Sequence, residues 1–169
     1  MWEMDYDSAA DYWELKDKDA VKVEASPLKE KIEAFIGANK TCALATASSD
    51  MVRCTPIEYN YLDDCFYLFS EGGLKFKGLK DNKNVGLAIY ESYAGFGKLK
   101  GLQAVGTASM VEPFFEEYLK VMEFRKIPVE AMKKLPQPMN LIKVKPDSYD
   151  YLDSSLKDEG FAVRQHLEL

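Results

Sequence analysis

Histidine is nearly missing from these 169 residues: His166 is the sole one, so a multi-histidine metal site cannot be built within one chain. Cysteine is scarce too. Cys42, Cys54 and Cys65 are odd in number, widely spaced and free of any C-x-x-C, which argues against a zinc knuckle and a disulfide framework. They read as small buried apolar residues. No apolar run approaches the roughly 18 residues of a membrane helix, and the opening Met1-Trp2-Glu3-Met4-Asp5 is acidic where a signal peptide is basic. A cytoplasmic protein is the expectation. Positive charge is in deficit, 22 Lys and Arg against 28 Asp and Glu for a net −6, which repels phosphate polyanions and anionic lipid. Neither nucleic acid nor a membrane is an expected partner. With one histidine, the fourth residue from the end, no Ser-His-Asp or Cys-His arrangement is credible.

What is there amounts to one domain's worth of chain, able to bury roughly 70% of its unfolded surface around a single core. The acid is unevenly placed. Residues 1–20 hold seven carboxylates and two lysines, so the other 149 residues sit near −1. Both tryptophans, Trp2 and Trp13, lie in this stretch with Tyr6 and Tyr12, and disordered tails are poor in aromatics. We therefore read residues 1–25 as an arm carrying a short helix, capped by Asp7 or Ser8, that packs against the body or a partner. Residues 26–150 read as the folded domain and 151–169 as a C-terminal tail.

Ser26-Pro27 opens a helix over about 27–38, with Leu28, Ile32, Phe35 and Ile36 on one stripe. Strands are expected over 41–47 and 51–59, and Tyr61–Phe69 places a turn at Asp63-Asp64 between two runs, so that the second and third strands form a hairpin. A lysine-rich helix follows over 74–81, then strands over 85–90 and 102–111. Helices over 113–124 and 129–135 and a last strand over 139–144 complete the pattern. Five or six short, mostly sequential strands imply an antiparallel barrel, mainly β with flanking helices.

The stretch Ser70-Glu71-Gly72-Gly73-Leu74-Lys75-Phe76-Lys77 ends a strand in two glycines and opens a helix. Unpaired backbone N–H groups at a positive helix end, beside lysine ammoniums, suit a phosphate. The spacing is not that of a Walker loop, and solvated lysines on an ordinary turn remain an alternative. Arg53 sharpens the case, as one of only three arginines against nineteen lysines and inside an apolar strand. A guanidinium there needs a partner: a phosphate, which its fork fits, or a carboxylate such as Glu58 or Asp50. If the second strand lies beside the end of the third, Arg53 and Lys75 converge, with the Thr55 and Ser70 hydroxyls nearby. Tyr90, Tyr93 and Phe96, around a glycine-bearing loop, could wall a pocket or be ordinary rim aromatics.

The ordered set Ala43-Leu-Ala-Thr-Ala47, Val52-Arg-Cys-Thr-Pro56, Phe66-Tyr-Leu-Phe-Ser70, Gly72-Gly-Leu-Lys75, Leu79-Lys-Asp-Asn82, Val85 and Gly106-Thr-Ala108 resembles the pyridoxamine 5′-phosphate oxidase-like family of flavin-binding split barrels. The resemblance spans about residues 28–145. It implies a six-stranded barrel that forms a homodimer with FMN at the subunit interface. It makes Arg53 and Lys75 the phosphate ligands and places Cys54, Thr55, Pro56 and Ile57 along the flavin ring edge. The family's serine before the lysine is replaced here by Gly73, with Ser70 able to supply a hydroxyl instead. Gln103 matches the strand that offers a glutamine to the flavin, although alignment on Gly106 points to Gly101. Residues 146–169 hold no Trp, unlike a true pyridoxamine phosphate oxidase, and Arg164-Gln-His166 is faintly similar to that family's Arg-x-His. The resemblance thus implies an FMN-dependent reductase of a small molecule, with NAD(P)H a possible donor, or a non-catalytic flavin carrier or sensor. Haem, with His166 alone to ligate it, is a third reading.

Overall fold

The computed structural model describes residues 1–169. An arm of two short helices, α1 (Tyr6–Ala10) and α2 (Tyr12–Asp17), precedes α3 (Ala25–Ala38). The sheet strands are β1 (Thr41–Ala47), β2 (Val52–Glu58), β3 (Asn60–Leu62) and β4 (Cys65–Ser70), then β5 (Asn84–Tyr90) and β6 (Lys100–Val111), then β7 (Asn140–Asp153) and β8 (Arg164–Glu168). Helix α4 (Lys75–Asp81) follows β4, while α5 (Glu116–Phe124) and α6 (Val129–Lys133) bridge β6 and β7. The strands form one antiparallel sheet in the order β2-β1-β5-β6-β7-β4-β3, with β8 also on β7.

Period-2 burial curls this sheet around its core. In β1, Cys42, Leu44 and Thr46 are buried, while Ala43, Ala45 and Ala47 on the opposite face are half-buried. The inward residues join Leu28, Ile32, Phe35 and Ile36 of α3 in a core of 23 buried side chains. A second cluster of 8, including Tyr118, Val121 and Met122 of α5 and Met132 of α6, seals the far side of β4 and β7. Asp63 and Asp64 both adopt positive φ, 50° and 56°, the conformation of the two-residue turn that matches strand twist. That turn closes the β3–β4 hairpin at Leu62 and Cys65. No helix is long and apolar enough to cross a membrane.

Three features differ from the sequence reading. The sheet has eight strands where six were expected. The last long strand does not stop at Val144 but runs on through Pro146 to Asp153, because the proline sits opposite Gly106 at a register shift between Val105 and Gly106. A bulge is where a sheet interior tolerates proline. Residues 164–168, read as tail, are β8, paired through Leu152↔Arg164, Tyr151↔Gln165 and Asp150↔His166. Its inward residues are Gln165 and Leu167; Gln165, 2% exposed, accepts from Val23 N at 3.0 Å and donates to Ala162 O at 2.6 Å. A five-residue strand with a satisfied glutamine at one of its two buried positions carries too little apolar alternation to read.

The arm docks in part. Val23 is buried, Ala162 N donates to Val21 O at 2.9 Å, and the Arg164 guanidinium lies 4.2 Å from the centre of the Trp13 ring. The helix cap is Asp5, which accepts from Ser8 N at 2.9 Å, in place of Asp7 or Ser8.

Candidate functional site

Helix α4 packs across β1 and β2, so tightly that a Cβ on Gly78 would lie 3.2 Å from Thr46 Cβ and from Ala47 N. Glycine there lets the helix sit on the sheet, which brings its first turn, with Lys75, to the β1–β2 end. Lys75 is 7% exposed. Its Nζ donates to Gly72 O at 2.6 Å and lies 5.3 Å from the centre of the Phe76 ring, with no carboxylate beside it. Burial holds its pKa below the usual lysine value, the sign expected for an ammonium removed from water.

The turn before Lys75 is pinned. Ser70 Oγ donates to the same Gly72 carbonyl at 3.2 Å, and Asn140 Nδ2 donates to the Ser70 and Glu71 carbonyls, each at 3.2 Å. Gly73 has φ +113°, and a Cβ there would stand 3.5 Å from Lys75 Nζ. A side chain at this position would strain the backbone and come into van der Waals contact with the ammonium.

Arg53 lies on β2 opposite Thr46 of β1. The carboxylates considered as its partners are engaged elsewhere: Glu58 with Arg125 at 2.7 Å and Asp50 with Ser48 Oγ at 3.4 Å. Arg53 itself is exposed and forms no ion pair. Thr46, 1% exposed, has the one buried side-chain oxygen or nitrogen without a hydrogen-bond partner. An unsatisfied buried hydroxyl costs about 1–3 kcal/mol, so its position against α4 and across from Arg53 is informative. Sequence reading passed over Thr46; the only signal was a hydroxyl in an inward position of an otherwise apolar strand.

The other residues separate by face. Thr55 and Ile57 share parity with Arg53 and lie opposite Leu44 and Cys42, and Ile57 packs against the core. Cys54 and Pro56 point to the outer face, opposite Ala45 and Ala43, which leaves Cys54 exposed where a buried cysteine was expected, while Cys42 and Cys65 are buried. Gln103 is on that face too, in a cross-strand row that runs Pro56, Ala43, Ala88, Gln103, Asp150, His166. It stands three strands from β2, roughly 14 Å. Thus Lys75, Ser70 and Gly73 meet around the Gly72 carbonyl, Arg53 stands on β2, one of the two strands that α4 packs against, and Gln103 lines a separate cleft of about 220 Å³ with Tyr90, Asp150 and Arg164. Tyr90, Tyr93 and Phe96 are all exposed.

His166 sits between two carboxylates, Nδ1 at 2.9 Å from Asp150 and Nε2 at 2.8 Å from Glu168. These bonds, Glu168's first and then Asp150's, raise its pKa above the usual 6.5. A raised histidine stabilises the fold fully below its unfolded pKa and stops doing so as pH rises through the folded one. His166→Gln is therefore expected to be less stable than the parent at acidic pH and equal to it well above the folded pKa. The site is half-exposed, so the difference is at most about 1 kcal/mol. Urea denaturation at both pH values measures it, and a difference that grows with pH would contradict the assignment.

One antiparallel sheet curled around its core, with small side chains on the outer face of β1 and flanking helices, defines a split-barrel architecture. Residues 28–153 match the family model described as pyridoxamine 5′-phosphate oxidase, and the chain belongs to that family. Among solved structures it is similar to an FAD-binding protein (mll6688) from Mesorhizobium loti, with 18% identity and a TM-score of 0.59 over 72% of this chain and 89% of that one. HutZ, the heme storage protein from Vibrio cholerae, gives 21% identity and a TM-score of 0.58 over 73% and 91%. ChuZ from Campylobacter jejuni gives 18% and 0.66 over 98% and 70%. These likenesses establish the fold. No curated protein sequence matches the chain.

Proposed function

We propose that the chain binds FMN as a homodimer and acts as a flavin-dependent reductase of a small molecule, not as a true pyridoxamine phosphate oxidase. The observation that carries this reading is Lys75, a 7%-exposed ammonium without a carboxylate partner, set in a glycine turn on the helix that packs over β1 and β2. Such a cation is an anion acceptor. The orphan Thr46 hydroxyl and the unpaired Arg53 fork support the same occupant, so the residues fit a phosphate. Arg53 and Lys75 would hold it, with Ser70 keeping the turn in place and Gly73 leaving room at the ammonium.

When bound, FMN supplies the hydride and electron transfer. The chain's own part is to orient it. Ala43, Ala45 and Gly86 leave the outer face low, so a planar ring can approach the backbone of Cys54, Thr55, Pro56 and Ile57. Gln103, too far from β2 to share a small ligand's phosphate end, would meet the ring across the sheet or from a second copy. The outer face supports self-association: Val52 and Val105 on it are 76% and 52% exposed, and nothing in one chain covers them.

FMN and riboflavin titrations of the apo-protein test the reading. FMN is expected to bind once per chain and at least ~10-fold more tightly than riboflavin, which lacks the phosphate; equal affinities would remove Arg53 and Lys75 from the site. Anaerobic NADH or NADPH should bleach the flavin's visible band if the protein is a reductase, whereas a carrier or sensor keeps its colour. A haem reading that ligates iron through the sole histidine would need one of its ring nitrogens, and both of those on His166 are held by carboxylates.

A further inference from the structure

Tyr90 of β5, Gly101 of β6, Leu152 of β7 and Arg164 of β8 pair in one cross-strand row. They have the parity of Gln103 and Asp150 in the next row, so all six share the outer face, where they line the cleft of about 220 Å³. Tyr90 and Arg164 stand at its two ends, three strand spacings or roughly 14 Å apart. Between them are a glycine and a half-buried leucine. Gly101 has no side chain to fill the floor beside Tyr90, where a Cβ would stand 3.5 Å from Tyr90 Cβ. A cavity of about 150 Å³ is enough for benzene, so this cleft has room for one ring with a short substituent.

Arg164 is the free cation of the cleft. Asp150, diagonal to it on β7, turns instead to His166 at 2.9 Å, and Arg164 joins no ion pair. What it does meet is the arm. Val23 N donates to Gln165 Oε1 at 3.0 Å and Ala162 N donates to Val21 O at 2.9 Å, which pins the base of the arm to the strand that carries Arg164. Helix α2 then sets the Trp13 ring against the guanidinium, Cζ lying 4.2 Å from the ring centre, and Lys16 Nζ stands 5.5 Å from the same ring.

Helices α1 and α2 contain no buried residue, and helices of five and six residues are too short to persist alone in water. The Trp13–Arg164 contact therefore works in both directions: it orders the arm, and it holds the guanidinium. An indole face attracts a cation through its quadrupole but supplies no lone pair. The N–H donors of Arg164 are thus held at the edge of the cleft and still lack an acceptor in the protein.

We propose that Trp13 and Arg164 form an anion subsite at the β8 end of this cleft, and that its ligand is a small aromatic carboxylate. The carboxylate accepts from the Arg164 fork, which matches two oxygens in one plane, and the ring lies over Gly101 and Leu152 toward Tyr90. With Asp150, Glu168 and the arm's carboxylates at the same end, a monoanion is tolerated better than a phosphate dianion. Trp13 is a positioning residue, since it acts through Arg164. Both lie outside residues 28–153, the span of the family match. The inference goes beyond the flavin reading: every residue of the subsite belongs to one chain, and neither Arg53 nor Lys75 takes part.

The probes are 4-fluorobenzoate and its neutral isostere 4-fluorobenzamide, followed by fluorine NMR line broadening with the full-length protein. The acid is expected to bind at least ~10-fold more tightly than the amide, and Arg164→Gln should remove that preference. Trp13→Ala should weaken the acid by about 2- to 5-fold and leave the amide unchanged, whereas a merely structural role would weaken both alike. Trp13→Phe, which restores an aromatic face, should recover the acid. In a Trp2→Phe background Trp13 is the sole tryptophan, and its emission should respond to the acid and not to the amide. Equal affinities for the two probes, no binding of either, or acid binding that survives Arg164→Gln would overturn the subsite. Trp13→Ala weakening both probes or neither would overturn the part assigned to Trp13. None of these variants touches Arg53 or Lys75, so the FMN titration reports on the flavin reading separately, and the failure of one leaves the other standing.

Discussion

Arg53→Ala is expected to weaken FMN binding by about 2–3 kcal/mol, a loss of about 30- to 150-fold, without weakening riboflavin. The guanidinium presents a planar fork to two phosphate oxygens, and its removal leaves Lys75 alone against a dianion. Arg53 is exposed and free of ion pairs, so the variant should fold with unchanged stability, which separates a binding effect from a folding one. Arg53→Lys keeps the charge but not the fork, and should fall between the parent and the alanine variant. Isothermal titration with both ligands decides the matter. An unchanged FMN affinity would remove Arg53 from the site, and an equal loss for both ligands would assign it to the ring or to packing.

Gly106→Ala is expected to be the most destabilising single methyl in the protein, costing about 3 kcal/mol. A Cβ at Gly106 would lie 2.3 Å from the Lys145 carbonyl oxygen and 2.8 Å from Pro146 Cα. Both are backbone atoms of the neighbouring strand, so no rotamer change relieves the contact. The bulge must open, and it sits in the long ladder from Lys100↔Asp153 to Val111↔Leu141, on which the curl of the sheet depends. For a chain of this size the melting temperature should fall by about 6–12 °C. Gly37→Ala is the control: a Cβ in that position of α3 meets nothing within 4 Å, and alanine in a helix should gain up to about 1 kcal/mol. Calorimetry on the two variants tests the contrast, and a Gly106→Ala protein melting with the parent would mean that the register shift is looser than its geometry.

The elements that could be read in advance are those whose local chemistry agrees with their final environment. Helix α3 announces itself through Leu28, Ile32, Phe35 and Ile36, all buried against the sheet. The hairpin turn on Asp63-Asp64 was legible because few side chains other than Asp and Asn tolerate positive φ. Strand β8 was not, since one of its two inward residues is Gln165, satisfied by Val23 and Ala162. Nor was the second half of β7, where Pro146 reads as a breaker until the bulge at Gly106 is seen.

The candidate site divides in the same way. Arg53 and Lys75 stood out by residue type, an arginine in an apolar strand and a lysine after two glycines. The amino-acid order by itself determined a mainly β chain, a cationic turn and an acidic aromatic arm, because period, turn propensity and charge are local properties. Only the tertiary structure decided that Arg53 faces the Thr46 side of β2 while Cys54 and Pro56 face outward, that Lys75 is buried without a carboxylate, and that Gln103 lies three strands away. The reason is that strand register and the packing of α4 on β1 set which side chains share a face, and both depend on contacts between residues far apart in the chain.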